Sequence, residues 1–119
     1  MTLYIGDYMN AEILRGFTDA IILNVLLEND SYGYKISRRI VEKTNNKMDI
    51  KDATIYLAFK RMEKDNLIAA YWSDSKSGVK RKYYKITEAG KRYLIKKKKE
   101  WLNNRDILNR LLLGDMNER

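Results

Sequence analysis

Several residue types are missing from this chain of 119 amino acids or are scarce in it: it has no cysteine, no histidine and no proline, and only six glycines. Without cysteine there is no disulfide framework and no thiolate site, which fits a reducing compartment. Without histidine the chain lacks the usual zinc ligand and the base of Ser-His-Asp and Cys-His catalysis. No carboxylate pair, glycine-rich phosphate loop or metal-ligand spacing stands out, so we predict no enzymatic activity, no cofactor and no metal site.

Long hydrophobic runs are absent as well. The longest run, residues 20–27, is interrupted by Asn24, whereas a membrane-spanning helix needs about 20 apolar residues. Residues 1–10 contain no basic segment of the kind that opens a secretory signal. We therefore expect a cytoplasmic protein without a membrane partner, and the length predicts a single domain.

Positive charge is concentrated in one part of the chain. The chain has 24 Lys and Arg against 16 Asp and Glu, a formal net charge of +8. Residues 76–99 hold eleven of the basic residues and one acid, Glu88, so this segment carries +10 and the remainder carries about −2. Such an imbalance favours an anionic polymer as partner.

The pattern of apolar residues predicts a mainly α (α+β) fold in the order helix, helix, helix, strand, strand, long helix. The helices are predicted at residues 12–28, 31–43, 51–65 and 87–113, and the strands at 68–73 and 80–86. The first helix is apolar on nearly all sides, which in so small a chain favours contact with a second subunit.

On the last helix, Leu94, Trp101 and Leu108 recur every seven residues, as in a coiled-coil seam. Trp101 could instead be the wall of a ligand site, although the seam is the simpler interpretation.

Local signals predict where two of the helices begin and end. Asp49 or Asp52 is expected to cap the third helix, and Thr87 is expected to cap the last one. Asn66 is expected to end the third helix, because asparagine tolerates the left-handed conformation.

The third helix and the hairpin that follows it together indicate a DNA reader. Lys51, Asp52, Ala53 and Thr54 are small or polar and could approach base edges in a major groove, although an ordinary amphipathic helix explains the same pattern. The cations expected to neutralise phosphates, with the glycine of the turn, are Lys76, Gly78, Lys80, Arg81 and Lys82. The alternative is a sheet edge that lysines protect against aggregation.

Two further segments are ambiguous. Tyr34, Lys35 and Arg38 could bind phosphate oxygens from the start of the second helix, whereas Tyr32 is better explained as core packing. The four lysines at residues 96–99 could bind nucleic acid or anionic lipid, or could simply form a solvated helix face.

Four segments, in their order and spacing, resemble a known family. They are L-R-G-F-T-D-A-I-I-L-N-V-L (14–26), S-Y-G-Y-K-I (31–36), A-T-I-Y-L-A-F-K-R-M-E-K-D-N-L-I (53–68) and G-V-K-R-K-Y-Y-K-I-T-E-A-G (78–90). Over nearly its full length the sequence resembles the PadR family of bacterial transcriptional regulators. Its short tail after Trp101 resembles the compact subfamily that includes the lactococcal multidrug-responsive repressor.

The resemblance implies a winged helix-turn-helix domain at residues 1–86 and a long dimerisation helix at 87–119, within one compact unit. It also implies a homodimeric repressor that binds a pseudo-palindromic operator in double-stranded DNA and is released by an effector or signal. The DNA-binding residues that it implies are Tyr34, Lys35, Arg38, Ala53, Thr54, Tyr56, Lys60, Gly78, Lys80, Arg81 and Lys82.

The resemblance further implies a planar aromatic effector that stacks on Trp101 at the centre of the dimer. The residues that it places on the opposite wall are Ile13, Gly16, Phe17, Asp19 and Ala20. This chain differs from the family pattern at Lys97 and Lys98, beside Trp101. A cationic wall at this position would repel a cationic drug, even if Asp19 offsets part of the charge.

Two other functions remain open. The chain could be a small-molecule-sensing or partner-binding helical module in which DNA contact is incidental. It could also be a basic winged helix that binds RNA or ribosomes, in which case it should bind structured RNA more tightly than duplex DNA.

Overall fold

The computed structural model describes residues 16–74 and 77–117, with side chains through residue 114. Within these residues the chain forms four helices and a two-stranded antiparallel sheet. The elements are α1 (Thr18–Glu28), α2 (Gly33–Lys43), α3 (Asp52–Lys64), β1 (Ile68–Asp74), β2 (Lys80–Ile86) and α4 (Glu88–Asn117). The predicted order is confirmed, and α4 continues past the predicted end at residue 113. Two predicted site residues, Ile13 and Lys76, lie outside the described residues.

The core lies where α1, α2 and α3 meet and is filled by aliphatic side chains and one phenylalanine. Its largest fully buried side chains are Phe59, Ile22, Leu23, Leu26, Ile36, Ile55 and Met62. Ile55, Phe59 and Met62, spaced at i, i+4 and i+7, therefore form the core side of α3. Burial of two adjacent residues of α1, Ile22 and Leu23, agrees with a helix that is apolar on most sides.

The N-terminal end of α3 has no side-chain cap. Lys51, the residue before the helix, is extended, and no described side chain accepts a hydrogen bond as the cap of this helix. The prediction that Asp49 or Asp52 caps α3 was therefore wrong. As a result, the backbone N–H groups of the first turn are not satisfied by a side chain and remain available to a partner.

The C-terminal end of α3 is closed by Asn66, as predicted. Asn66 has a φ of 59°, and its amide donates to the carbonyl oxygen of Glu63 at 3.0 Å. The amide of the next residue, Leu67, donates to the carbonyl oxygen of Met62 at 2.8 Å. This pair of bonds is a Schellman motif, and it turns the chain from α3 directly into β1.

The two strands form a hairpin in which Ile68 pairs with Ile86 and Asp74 pairs with Lys80. In the connection between them Gly78 has a φ of 83°, a conformation that only glycine adopts without strain. In this hairpin every residue of the cationic strand β2 is paired with a residue of β1.

Tyr84 on β2 joins the hairpin to both neighbouring helices. Its ring stacks on Phe59 of α3 with 3.9 Å between the ring centres. Its backbone exchanges hydrogen bonds of 3.1 and 2.7 Å with Ser31, which lies just before α2. One buried residue therefore contacts both helices and helps to hold the hairpin against α2 and α3.

The start of α4 is held against the end of α3. The Thr87 hydroxyl accepts a hydrogen bond from the Gly90 amide at 3.0 Å, which confirms the predicted cap, and donates to the Asn66 carbonyl oxygen at 2.7 Å. Gly90 is buried, and a Cβ on this residue would overlap the carbonyl oxygen of Leu67 and approach Cγ1 of Ile86 to 2.8 Å. Only glycine allows α4 to begin so close to the preceding turn.

We expect Gly90→Ala to lower the free energy of unfolding by about 1–3 kcal/mol, because the added methyl group meets backbone that cannot move aside. Urea denaturation at a fixed protein concentration measures this change.

Gly114→Ala is the matched control, because a Cβ at Gly114 has nothing within 4 Å. We expect it to be neutral or to stabilise α4 by up to about 1 kcal/mol, since alanine favours a helix more than glycine does. Equal effects of the two substitutions would contradict the close contact at Gly90.

Candidate nucleic-acid interface and neighbouring apolar groove

The start of α2, the exposed side of α3 and the hairpin meet at one groove of about 410 Å³, the interface groove. Its lining residues are Tyr32, Gly33, Tyr34, Asp52, Ile55, Tyr56, Phe59, Trp72, Arg81, Lys82 and Tyr84. The fold thus brings together predicted DNA-binding residues from three separate segments, namely Tyr34, Tyr56, Arg81 and Lys82.

Three aromatic side chains of the interface groove are exposed to solvent: Tyr34 by 66%, Tyr56 by 62% and Trp72 by 66%. Flat amphipathic rings beside cations are suited to contact with nucleic acid, where they pack on sugars or bases while the cations meet phosphates. The sequence prediction omits Trp72, because alternation along β1 assigns it only to a strand face. The signal that could have identified it is the hairpin register, which pairs Trp72 with Lys82.

Arg81 is held by a stack of tyrosine rings. Its guanidinium carbon lies 4.7 Å from the centre of the Tyr32 ring, Tyr32 meets Tyr83 edge to face at 5.2 Å, and Tyr83 stacks on Tyr71 at 5.8 Å. The Tyr71 hydroxyl donates to Asp30 at 2.7 Å, and this hydrogen bond raises the pKa of Tyr71. The stack thereby ties the hairpin to the turn before α2, which limits the orientations open to Arg81.

Lys82 points toward α3. Its Nζ lies 3.8 Å from a carboxylate oxygen of Glu63 and 5.6 Å from the centre of the Tyr84 ring. A half-exposed ion pair of this kind contributes little stability, so Lys82 can exchange Glu63 for a phosphate at small cost. Gly78 and Lys80 are exposed at the far end of the hairpin.

The other predicted DNA-binding residues lie outside the interface groove. Lys35 lines a different depression together with Tyr71, Tyr83 and Lys85, so Lys35 and its neighbour Tyr34 do not line the same groove. The remaining ones are exposed on α2, on α3 or just before α3: Arg38, Lys51, Ala53, Thr54 and Lys60.

A second site, the apolar groove, lies between α1, the end of α2 and α4, with a volume of about 480 Å³. Its lining residues are Phe17, Ala20, Ile21, Asn24, Val25, Ile40, Lys43, Thr44, Met48, Leu94, Lys97, Lys98, Trp101 and Leu102. Trp101 is 43% exposed, and the guanidinium carbon of Arg105 lies 5.3 Å from the centre of its ring.

The predicted ligand-binding residues divide into two groups. Phe17, Ala20 and Trp101 line the apolar groove, whereas Gly16 is exposed and does not line it. The Asp19 carboxylate instead binds the guanidinium of Arg61 on α3 at 2.6 Å. The sequence prediction misses the side contributed by α2 and its following loop, since Ile40, Thr44 and Met48 are far from Trp101 along the chain and carry no motif.

Acids beside the apolar groove are already paired with cations. Glu100 binds Lys97 at 3.3 Å, and the hydrogen bond between them raises the pKa of Lys97. Glu28 binds Lys43 at 3.1 Å and Arg39 at 3.3 Å, and hydrogen bonds from Arg39 and then Lys43 lower the pKa of Glu28. The positive charge of the groove is therefore offset only at its outer edge.

The outer half of α4 leaves a run of large apolar side chains exposed. These are Leu102, Ile107, Leu108, Leu111, Leu112 and Leu113, and Leu111 is 74% exposed. An apolar surface of this kind marks a site of association, and it continues from Trp101 and Leu102 of the apolar groove.

Comparison with known proteins identifies the family. Residues 22–96 match the model of the transcriptional regulator PadR-like family. This chain is a member of the PadR-like family of transcriptional regulators. The family and its structural neighbours are regulators rather than enzymes.

Three relatives of this PadR-like chain show how far the similarity extends. A transcriptional regulator from Clostridium thermocellum, Cth-833, is 40% identical with a TM-score of 0.79, over 85% of this chain and 98% of that one. A PadR family regulator from Clostridium difficile R20291 is 40% identical with a TM-score of 0.72, over 81% and 98%. An uncharacterised protein of Lysinibacillus sphaericus is 46% identical over 89% of this chain and 97% of its own length. The winged helix-turn-helix architecture predicted from the sequence is confirmed by these matches.

Within residues 16–74 and 77–117, no helix is both long enough and apolar enough to cross a bilayer.

We expect Trp72 to report DNA binding directly. With both tryptophans labelled as 5-fluorotryptophan, addition of duplex DNA should shift the fluorine resonance of Trp72, because its exposed ring becomes covered. The resonance of Trp101 serves as the internal control and should move less. Trp72→Phe assigns the two signals, and a Trp72 resonance unmoved by saturating duplex would contradict its place at the interface.

Proposed function

We propose that this PadR-like chain is a homodimeric, cytoplasmic repressor whose α3 enters the major groove of a pseudo-palindromic operator while the β1–β2 hairpin contacts the adjoining backbone. The observation that carries the proposal is the interface groove, where α3, the start of α2 and the cationic hairpin form one surface. A protein that recognises DNA in this way needs a helix that contacts base edges and, on the same side of the protein, flanking cations that contact phosphates.

In this proposal the exposed first half of α3 recognises the bases. Ala53 and Thr54 are small, and Tyr56 is 62% exposed, so this part of the helix can approach base edges closely. The uncapped amides of the first turn add donors for a phosphate, which a helix N-terminus favours. Lys51 and Lys60 would contact the flanking backbone.

In this proposal the hairpin and α2 bind the phosphates. Lys80, Arg81 and Lys82 carry three charges on one short strand, and the tyrosine stack under Arg81 reduces the entropy that its side chain loses on binding. Tyr34 and Arg38 would contact the backbone on the opposite side of α3, with Lys35 further along the surface.

The exposed apolar side chains of α4 support a dimer. A second copy of the chain would cover these leucines, and a twofold pair would present two copies of α3 to half-sites about one helical turn apart. In this arrangement residues 1–86 form the DNA-binding part and residues 87–119 form the dimerisation helix of one compact unit.

The apolar groove supports release of the repressor by a small effector. Its volume of about 480 Å³ lies within the range of small-molecule sites, and Trp101 offers an exposed ring for stacking. The groove also favours the second candidate, a small-molecule-sensing module in which DNA contact is incidental. The following DNA-binding measurement separates the two candidates.

We expect Lys80→Ala combined with Arg81→Ala to weaken binding to all duplexes, because the lost contacts are to phosphates. The slope of log affinity against log salt should become shallower by about one unit for each phosphate contact removed. Fluorescence anisotropy with a labelled operator selected from random duplexes, titrated at several salt concentrations, measures both effects.

Lys96→Ala combined with Lys99→Ala removes the same charge from α4 and is the matched control. We expect the control to keep most of the salt slope. An unchanged slope in the hairpin variant would contradict the phosphate role of the hairpin, and an equal loss in the control would move the interface onto α4. Tighter binding to structured RNA than to duplex DNA would overturn the repressor proposal.

We expect Leu108→Glu to weaken dimerisation by at least about 3 kcal/mol, roughly a 100-fold rise in the dissociation constant, because it buries an uncompensated charge in the apolar contact. Light scattering after size-exclusion chromatography measures the mass of the species. The neighbouring change Asn109→Glu adds the same charge outside the leucine run and should leave the mass unchanged. A Leu108→Glu chain that stays dimeric would place the contact elsewhere.

A further inference from the structure

Leu57 on α3 is a large aliphatic residue that the fold leaves uncovered. Its side chain is 59% exposed, and it lines neither the interface groove nor the apolar groove. The next residue, Ala58, is completely buried, so the exposure of Leu57 follows from its position on an intact helix. Because covering an aliphatic side chain is favourable, Leu57 adds affinity to any contact that this side of α3 makes.

Leu57 occupies the middle of the side of α3 that faces away from the core. At about 100° per residue it lies about 160° around the helix axis from Ile55 and about 140° from Met62, and both of these residues are buried. Ala53, four residues earlier, and Lys60, three residues later, are its exposed neighbours on the same side. Leu57 therefore points toward whatever covers the exposed side of the helix.

The exposed side of α3 is apolar near Leu57 and cationic beyond it. Ala53, Thr54 and Leu57 present methyl groups and no charge, whereas Lys60 and Lys64 follow in the second half of the helix. Duplex DNA offers a complementary arrangement in its major groove, where phosphates form the edges and the C5-methyl group of thymine is the apolar group on the floor. The pattern of charge thus favours duplex DNA as the partner of this side.

A second copy of the chain is better accommodated elsewhere. The exposed leucines of α4, among them Leu108 and Leu111, form a run of neighbours, whereas Leu57 is flanked by cations. Two copies of α3 packed through Leu57 would bring the lysines of each helix close to those of the other, and like charges across a contact are unfavourable.

We infer that Leu57 is a specificity-determining residue that recognises a T·A base pair through the C5-methyl group of thymine. The inference rests on the proposed function and names a base that α3 selects. An aliphatic side chain has no hydrogen-bond donor or acceptor, so it favours a base in the major groove only through an apolar group, and thymine supplies one. Each half-site that the chain selects should therefore contain a thymine that faces α3.

Replacement of thymine by deoxyuridine tests the inference, because it removes the C5-methyl group and keeps every hydrogen-bonding group of the base. The unsubstituted chain first selects a duplex from random sequences, and each thymine of that duplex is then replaced in turn. We expect one replacement in the half-site to lower the affinity about fourfold, as for one buried methyl group. Fluorescence anisotropy at a single salt concentration measures the affinities.

Leu57→Ala should abolish the loss at that thymine and leave the effects of the other replacements unchanged, as expected for two groups in direct contact. The slope of log affinity against log salt should stay the same, because no phosphate contact is removed. Leu27→Ala is the matched control, since it makes the same change at a 47% exposed residue of α1. We expect it to keep the loss at the same thymine.

Several results would overturn the inference: no thymine whose replacement lowers the affinity, a loss that persists in Leu57→Ala, or a loss that disappears equally in Leu27→Ala. A smaller mass of the Leu57→Ala chain in light scattering would instead assign Leu57 to a protein contact. A chain that prefers its selected duplex but tolerates every replacement refutes the thymine contact alone. A chain that binds structured RNA more tightly than the duplex refutes the proposed function, and the thymine contact with it.

Discussion

The surface proposed to face DNA depends on the contact between Tyr84 and Phe59. Their rings stack at 3.9 Å in the core, while the backbone of Tyr84 pairs with Ser31. Through one residue the hairpin is thus fixed to both α2 and α3. Together with the stack of Tyr32, Tyr83 and Tyr71, this contact holds the aromatic rings and cations of the interface groove in one arrangement before binding, which reduces the conformational entropy lost on binding.

A second fixed point joins this surface to the long helix. Thr87 and Gly90 hold the first turn of α4 against the chain reversal after α3, and the approach of the two backbones leaves no room for a side chain. Because α4 is a continuous helix of 30 residues, the direction set by its first turn determines where its leucines lie. In the proposed dimer this contact would help to set the spacing of the two copies of α3.

The parts of this structure that follow from the sequence are those encoded locally. Asn66 ends α3 and Thr87 caps α4 because each residue interacts with backbone groups only a few residues away. The positive charge of the hairpin can be read directly from its consecutive Lys and Arg residues. Contacts between distant segments are not encoded in this way. The pairing of Asp19 with Arg61 joins residues 42 positions apart, and nothing in either segment indicates the other.

The difference between local signals and contacts between distant segments also explains two errors in the sequence predictions, one at the start of α3 and one at Trp72. Asp49 and Asp52 have the right side chains for a cap of α3, but the N-cap position falls on Lys51, whose side chain has no oxygen to accept a hydrogen bond. Trp72 alternates as a strand residue should, yet its 66% exposure depends on the hairpin standing away from the core. A period of two residues assigns a side chain to a face and does not say whether that face is covered.

The ion pair between Asp19 and Arg61 gives α1 two roles. Phe17 and Ala20 belong to the wall of the apolar groove, and Asp19, between them in sequence, binds Arg61 on α3, the helix proposed to face DNA. The wall of the apolar groove and α3 are thus joined by a salt bridge, so a displacement of α1 would be passed to α3 only as far as this partly exposed pair holds.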